Sequence, residues 1–270
     1  MPIITKITAQ KSSEERFNIF LNEGNGEKFA FSVDQNVLLK FGLKKGLELD
    51  EMEILEIQYG DSVKKAFNKA IEFLGFRMRS EKEVADMLLK KEYAEAVVSE
   101  VMHQLRHYKY VNDEEFADAY IRTHWKTGGK GPGVMKQELS LKGISKDIAE
   151  KALLQYSKED QVEQAMVHAE KVVRKESKIS TVQIKQKVEQ TLMRKGFSYD
   201  VISIVKEELM YENNDEEEWN SLVLQAEKLK RKYAKGAAQS QYKMKMKQAL
   251  YRKGFSIEII DRYLSEEEQD

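Results

Sequence analysis

The sequence predicts a mainly α-helical protein in which four tandem three-helix repeats form an elongated, curved array behind a small β-rich N-terminal domain. Three observations support this fold class. Regular alternation of hydrophobic and polar residues is found near the N-terminus, the chain has only two prolines, and a Lys-Gly segment recurs about every fifty residues. Few prolines and many Leu, Glu, Lys and Ala residues favour helices. A segment recurring at that interval is typical of repeat proteins.

Residues 1–59 are predicted to form the β-rich domain. Hydrophobic side chains alternate with polar ones along two segments, at Phe17, Ile19 and Leu21 and at Phe29, Phe31 and Val33. Asn25-Gly26 lies between these segments and suits a hairpin turn. Asp34 is expected to cap a short helix that ends near Phe41. The segment Tyr59-Gly60-Asp61 is the expected junction with the helical region.

After residue 60 the chain repeats. Three segments align on a Lys-Gly pair and a fourth has Glu92 in place of glycine, so the frame positions are 92, 143, 196 and 254, with spacings of 51, 53 and 58 residues. Eight and four residues before each frame position stand hydrophobic residues, which indicates a helix ending there. These residues are Val84 and Leu88, Met135 and Leu139, Val188 and Leu192, and Met246 and Leu250. The predicted repeats are 60–110, 111–160, 161–212 and 213–270.

The residues around each frame position suit a turn between two helices. Glycine after a helix adopts the left-handed conformation readily, and the preceding lysine complements the negative end of the helix dipole. Ser145, Ser198 and Ser256 then stand where a helix N-cap is needed. Glu92 departs from this pattern and leaves the geometry of the first turn open.

Composition excludes several classes of function. The chain has no cysteine, which excludes disulfides, thiol catalysis and cysteine-ligated metal sites. The start Met1-Pro2-Ile3-Ile4 lacks the layout of a signal peptide, and no hydrophobic run approaches the roughly 18 residues of a membrane span. We therefore expect a cytoplasmic protein without membrane association.

The formal net charge of −1 hides an uneven distribution. Residues 1–59 carry seven basic and ten acidic side chains, whereas residues 226–253 carry ten basic side chains against Glu227 alone. Such a block is either a solvated helix face or a phosphate-binding surface. The candidate contacts for nucleic acid or a protein partner within it are Lys228, Lys230, Arg231, Lys232, Lys243, Lys245 and Lys247.

The sequence offers no convincing catalytic, cofactor or metal site. The glycine-rich segment 128–133 resembles a phosphate cradle, but no hydrophobic strand precedes it and neither serine nor threonine follows Lys130. A flexible turn with Pro132 at the first helical position suits it better. His103 and His107 have the spacing of a helical metal pair, yet Gln104 stands where a zinc protease has glutamate. A binding protein without a cofactor is the favoured interpretation, and an enzyme the weakest.

Three motifs resemble the RecX family, the bacterial regulators of the RecA recombinase. They are Arg77-Met78-Arg79-Ser80, the segment from Asn112-Asp113 through Phe116-Ala117 to Tyr120, and the segment from Lys130-Gly131 to Leu139 and Lys142-Gly143-Ile144. All three occur within residues 66–150 and in the family's order. The remaining chain is similar to longer family members in its architecture and its repeated Lys-Gly-Phe-Ser segments.

The resemblance implies a protein that binds along the RecA–DNA filament and modulates ATP hydrolysis, strand exchange and filament stability in recombination and DNA repair. The implied partners are the RecA filament and single- or double-stranded DNA, bound without sequence preference by a monomer. Arg77 and Arg79 are candidate contacts beside a polar connector role. Lys126, Lys130 and Lys136, around the glycine-rich segment, are further candidates.

Two other functions stay open on the residues alone. A helical DNA-binding protein, such as a transcription regulator, would use the same basic residues in helix-turn-helix units. It would prefer certain duplex sequences and dimerise on paired half-sites. A protein-only scaffold would be indifferent to DNA.

Overall fold

A computed structural model describes the backbone of most of the chain, namely residues 1–11, 13–22, 24, 26–176, 178–209, 215–233 and 239–267. Two compact units make up this structure. The first comprises residues 1–116 with 142–144, and the second comprises residues 117–141 with 145–270.

The N-terminal residues form a three-stranded antiparallel sheet, as predicted. The strands β1 (Ile3–Gln10), β2 (Ser13–Asn22) and β3 (Glu27–Asp34) pair in the order β1-β2-β3. Ile4, Ile19 and Val33 are fully buried in the core of this sheet domain. Of the predicted hairpin residues, Gly26 has a φ of 99°, whereas Asn25 lies outside the described residues.

The prediction that Phe29 shares a face with Phe31 and Val33 was wrong. Ile19 pairs with Phe31 but Phe20 pairs with Phe29, so β3 carries one extra residue at this point. Such a bulge interrupts the alternation of side chains. Phe29 is 59% exposed, and its ring contacts that of Phe20 edge-on at 6.0 Å between centroids.

Helix α1 (Gln35–Lys40) begins where the sequence predicts it. The Asp34 carboxylate accepts a hydrogen bond from the backbone amide of Asn36 at 2.9 Å. Helix α2 (Glu51–Phe76) follows, and it begins with a capping box between Asp50 and Glu53.

The predicted junction at Tyr59-Gly60-Asp61 is not a break, because α2 runs through it without interruption. Gly60 is explained by crowding, since an added Cβ would lie 3.1 Å from the ring of Phe41. Asp61 is buried and ties α2 to the sheet: its carboxylate accepts from Arg16 at 2.9 Å and from the backbone amide of Asp34 at 2.8 Å. Burial raises the pKa of Asp61, but hydrogen bonds from Arg16 and Lys65 bring it below the usual range.

The rest of the described chain consists of helices and the short connections between them. With α2, the helices group in threes along the sequence: α3 (Glu81–Lys90) and α4 (Glu95–His107); α5 (Asp113–Gly128), α6 (Pro132–Leu141) and α7 (Lys146–Leu153); α8 (Lys158–Lys175), α9 (Thr181–Lys195) and α10 (Tyr199–Glu208); α11 (Asp215–Tyr233), α12 (Gln239–Arg252) and α13 (Ile257–Glu266). None of the helices within these described ranges is long and apolar enough to cross a bilayer.

The hydrophobic stripes predicted for the repeats are buried. The residues eight and four positions before each frame position have exposures of 0%, namely Val84, Leu88, Met135, Leu139, Val188, Leu192, Met246 and Leu250. Directly after the frame position, Ile144, Phe197 and Phe255 are buried as well. The prediction of repeated helix pairs joined at the frame positions is confirmed.

All four frame positions adopt the left-handed backbone conformation. The φ angles of Gly143, Gly196 and Gly254 are 85°, 87° and 86°, and that of Glu92 is 63°. The first turn therefore has the same geometry as the others, although a residue with a Cβ occupies it. Ser145 and Ser256 accept a hydrogen bond as N-caps, whereas Ser198 occupies the N-cap with no side-chain capping bond to a described residue.

One hydrogen bond recurs between the start of the second helix of a repeat and the turn of the next repeat. The Ser80 hydroxyl donates to the carbonyl of Lys142 at 2.7 Å, the Gly131 amide donates to that of Lys195 at 2.8 Å, and the Ser180 hydroxyl donates to that of Lys253. Each acceptor is the lysine of a Lys-Gly pair, and each bond lies inside one compact unit. The recurring segment is therefore a joint between neighbouring repeats as well as a turn.

Candidate nucleic-acid interface

The arginines of the connection between α2 and α3 have structural partners. Arg77 pairs with Glu83 at 2.9 Å. The Arg79 guanidinium lies over the ring of Phe73 at 4.1 Å, and its Nε is buried without a hydrogen-bond partner among the described residues. Burial, together with the charge of Arg77, lowers the pKa of Arg79. The structure therefore supports a connector role for Arg77, whereas the Nε of Arg79 can still donate a hydrogen bond.

Glu83 is the acceptor that holds this connection together. It closes the capping box of α3 with Ser80 and also accepts from Arg77 and from Lys142 at 2.9 Å. Burial raises the pKa of Glu83, but the hydrogen bonds from Arg77, Lys142 and the Ser80 amide outweigh it and lower the pKa to about 2. The carboxylate is thus ionised throughout the neutral range.

The glycine-rich segment 128–133 serves the joint between repeats. The amides of Gly131 and Gly133 donate to the carbonyls of Lys195 and Gly196, at 2.8 and 2.9 Å. A phosphate cradle needs such amides directed at its ligand, so two of its expected donors are engaged within the protein. Pro132 stands at the first position of α6, as predicted.

The three lysines near this segment differ in their surroundings. Lys130 pairs with Glu138 at 2.7 Å, and Glu138 also accepts from the hydroxyl of Tyr120 at 2.6 Å. Lys136 pairs with Glu150. Lys126 is exposed and its ammonium lies 5.9 Å from the ring centroid of Trp125. Lys126 is therefore the most available of the three for an external anion.

The basic block of the fourth repeat is partly neutralised. Lys230 pairs with Glu267 at 2.9 Å and Lys247 with Asp261 at 2.6 Å. Lys232 lies over the ring of Tyr233 at 5.7 Å. The other candidates comprise the half-buried Lys243 and the exposed Lys228, Arg231 and Lys245. Lys235, also part of the block, lies outside the described residues.

A further basic surface, which the sequence reasoning missed, lies in a groove between α8 and α9. The groove has a volume of about 340 Å³. The basic side chains lining it are His168, Lys171, Lys175, Lys187 and Arg194. Its cations stand four residues apart on α8 and seven apart on α9. That helical spacing is visible in the sequence, but the pairing of the two helices is not.

Family models match five successive segments that together cover most of the chain. The model of the regulatory protein RecX N-terminal domain matches residues 2–50, and those of the first and second RecX three-helix domains match residues 66–105 and 112–153. The model of the third RecX three-helix domain matches twice, at 159–205 and 215–264. The chain belongs to the RecX family. The double match shows that the last two repeats are the same kind of unit.

Full-length relatives agree with this assignment. The chain is 54% identical over 266 residues to the regulatory protein RecX of Bacillus licheniformis, covering 98% of this chain and 99% of the relative. It is 54% identical over 269 residues to that of Bacillus subtilis strain 168, covering 99% and 100%. Both relatives are named regulatory protein RecX.

Solved RecX structures share the fold. A crystal structure of regulatory protein RecX matches with a TM-score of 0.68 at 36% identity, covering 77% of this chain and 100% of that chain. RecX from Lactobacillus salivarius matches with a TM-score of 0.54 at 39% identity, covering 56% and 97%.

Proposed function

We propose that this RecX protein binds the RecA nucleoprotein filament and modulates RecA ATP hydrolysis, strand exchange and filament stability during recombination and DNA repair. The observation that carries the proposal is the succession of RecX three-helix domains over residues 66–264. The protein acts as a cytoplasmic monomer, since tandem units replace the copies that a dimer would supply.

The recurring joint supports a filament as the target. Ser80, Gly131 and Ser180 make equivalent bonds to successive turns, so similar surfaces recur along the chain. A repeating partner offers matching contacts to such a protein, and linked contacts bind more tightly than each one alone. Mixed charge suits this target: a net charge of −1 is unlike that of a protein that only coats DNA, and complementary patches set register and association rate.

The test is a titration into preformed RecA filaments on single-stranded DNA while ATP hydrolysis and strand exchange are followed. We expect RecA activity to change well below the amount of protein needed to cover the DNA. A change only at DNA-saturating amounts, abolished by added bare DNA, would support simple competition for DNA instead.

Selection from a mixture of duplex sequences and RecA binding with and without DNA, measured beside this titration, separate the alternatives. A transcription regulator would leave RecA activity unchanged and would select particular sequences from a mixture of duplexes. A protein-only scaffold would bind RecA equally with and without DNA. Either result would contradict filament binding as the function.

A further inference from the structure

We propose that the groove between α8 and α9 binds the phosphodiester backbone of a nucleic-acid strand, through Lys171, Lys175, Lys187 and Arg194. The inference rests on the proposed function, because that function brings the protein to a target that contains nucleic acid. It adds the place on this chain where the nucleic acid binds. The groove lies in the third repeat, and none of the twelve candidate contact residues predicted from the sequence lines it.

The charge balance of the groove is the first argument. Lys187 pairs with Glu176 at 2.6 Å, whereas Lys171, Lys175 and Arg194 make no ion pair with any residue that the structure describes. Burial lowers the pKa of His168, as do the nearby charges of Lys195 and Lys171. The neutral ring then donates from Nε2 to the Gly129 carbonyl at 2.8 Å. Four cations thus face one carboxylate, and their mutual repulsion is relieved by an external anion.

Comparison with the second repeat shows which internal anion the groove lacks. Five residues before the turn glycine, the second repeat has Glu138, which is held by Lys130 and Tyr120. The third repeat has Thr191 at the same position, and Thr191 lines the groove. The same helix position therefore carries a carboxylate in one repeat and a neutral hydroxyl among cations in the next.

The extent of the groove indicates a chain of phosphates. Lys187 and Arg194 are seven residues apart on α9, which corresponds to about 10 Å along a helix. Lys171 and Lys175 are one turn apart on α8. A single phosphate does not span cations so widely spaced, whereas a strand backbone carries phosphates at regular short intervals.

The lining favours nucleic acid over an acidic peptide. Val172 is the only aliphatic residue among the described residues that line the groove, and Gln190 and Thr191 add neutral hydrogen-bonding groups. Peptides are usually anchored by hydrophobic side chains in apolar pockets, and acidic motifs by clusters of arginine, whereas Arg194 is the single arginine among the described residues that line this groove. Contacts to phosphates come from lysine, arginine and polar side chains, as found here.

Thr191→Glu is the decisive variant, because it gives the third repeat the carboxylate of the second. We expect its affinity for a fluorescent oligothymidylate, followed by anisotropy, to fall about tenfold at 0.1 M salt, with the salt dependence flatter by about 0.7 per lost phosphate contact. Its melting temperature is expected to equal or exceed that of the wild type. Gln186→Glu is the matched control, since it adds the same charge to α9 at an exposed position outside the groove.

A second variant protects the test from a folding defect. Lys171→Gln with Lys175→Gln alters exposed side chains only and is expected to weaken oligothymidylate binding in the same way. If Thr191→Glu and the double variant both bind like Gln186→Glu, the groove is not the site and the inference is overturned.

Competition separates the possible anions. Tripolyphosphate, ATP and a polyglutamate peptide are each titrated against the bound oligothymidylate at constant ionic strength. We expect displacement only at concentrations far above that of unlabelled oligothymidylate. Displacement by any of the three at a concentration equal to that of the unlabelled oligonucleotide would overturn the assignment to nucleic acid.

The outcome is independent of the RecA assay. Loss of oligonucleotide binding in Thr191→Glu, with a wild type that leaves RecA unchanged, would retain the groove and reject the proposed function. Unchanged oligonucleotide binding in both groove variants, with a wild type that alters RecA activity, would reject the groove and retain the proposed function.

Discussion

At the scale of single residues, Glu92 and the turn glycines share the left-handed backbone conformation but differ in how much space surrounds them. Both kinds of residue adopt positive φ angles, which cost a residue with a Cβ roughly 1 kcal/mol. Around Gly196, however, an added Cβ would also lie 2.9 Å from Cγ2 of Val134. Glu92 is exposed. The first repeat therefore tolerates a side chain where a later repeat has no space for one.

We predict that Gly196→Ala destabilises the protein by about 2 kcal/mol or more, because backbone strain and overlap with the neighbouring repeat add together. Glu92→Gly should instead stabilise it, by up to about 1 kcal/mol, because the released strain of roughly 1–2 kcal/mol exceeds the extra backbone entropy that glycine loses on folding. Urea unfolding followed by circular dichroism measures both changes.

Gly75→Ala is the control for this pair, since Gly75 lies in α2 and an added Cβ would have no atom of the described residues within 4 Å, apart from the backbone of the helix itself. It should be neutral or slightly stabilising. If Gly196→Ala behaved like Gly75→Ala, the close approach at the joint would be disproved.

At the scale of elements, helix capping and repeat stacking use the same residues. Ser80 accepts from the Glu83 amide at 3.2 Å, as an N-cap, and donates to the Lys142 carbonyl. Gly131 makes the equivalent bond through its amide, and an added Cβ there would lie 2.5 Å from the amide nitrogen of Phe197. A serine hydroxyl donates the bond between repeats at Ser80, whereas the backbone amide donates it at Gly131, where the close approach of the next repeat leaves no space for a side chain.

We predict that Glu83→Gln destabilises the protein at pH 7 by about 2 kcal/mol, because the amide can still cap α3 but cannot pair with Arg77 and Lys142. The folded-state pKa of Glu83, about 2, lies below its ordinary value of 4.5. The stabilisation is therefore complete above about pH 5 and is lost as the pH falls from there towards 2. Urea unfolding of both proteins at several pH values measures this difference.

Glu53→Gln is the matched control, since Glu53 closes the same kind of capping box at the start of α2 and forms no ion pair with a described residue. Its effect at pH 7 should be smaller. A difference between wild type and Glu83→Gln that persisted unchanged down to pH 2 would contradict the role of the Glu83 charge.

At the scale of the whole molecule, the placement of carboxylates decides which exposed cations remain available to an external anion. Of the twelve nominated residues, Arg77, Lys130, Lys136, Lys230 and Lys247 are held in ion pairs. Exposed cations without such a pair among the described residues include Lys126, Lys228, Arg231 and Lys245. Any nucleic-acid affinity outside the α8–α9 groove should depend on this second group.

We predict that Lys228→Gln with Arg231→Gln and Lys245→Gln weakens DNA binding equally for all sequences. The slope of log affinity against log salt should flatten by about 0.7–0.9 for each lost phosphate contact. Lys230→Gln with Lys247→Gln is the control and should change the slope less per residue, because each lysine already has a carboxylate partner. Equal slopes for wild type and the triple variant would identify the block as a solvated face.

The sequence by itself determined the repeats, their hydrophobic stripes, the short helix after Asp34 and the turns at the frame positions. These features depend on residues a few positions apart, since helix periodicity and capping are local. Residues such as Leu88, Leu139, Leu192 and Leu250 therefore proved buried where the pattern placed them. The family motifs were equally local and led to the correct family.

Only the tertiary structure decided the rest. The bulge that turns Phe29 outward, the passage of α2 through Gly60 and the pairing of Lys230 with Glu267 depend on residues distant in sequence. The α8–α9 groove is likewise basic because two helices bring their cations together, and because Thr191 stands where the second repeat has Glu138. The energy of an ion pair depends on separations of a few ångströms in space, and the order of residues along the chain does not state those distances.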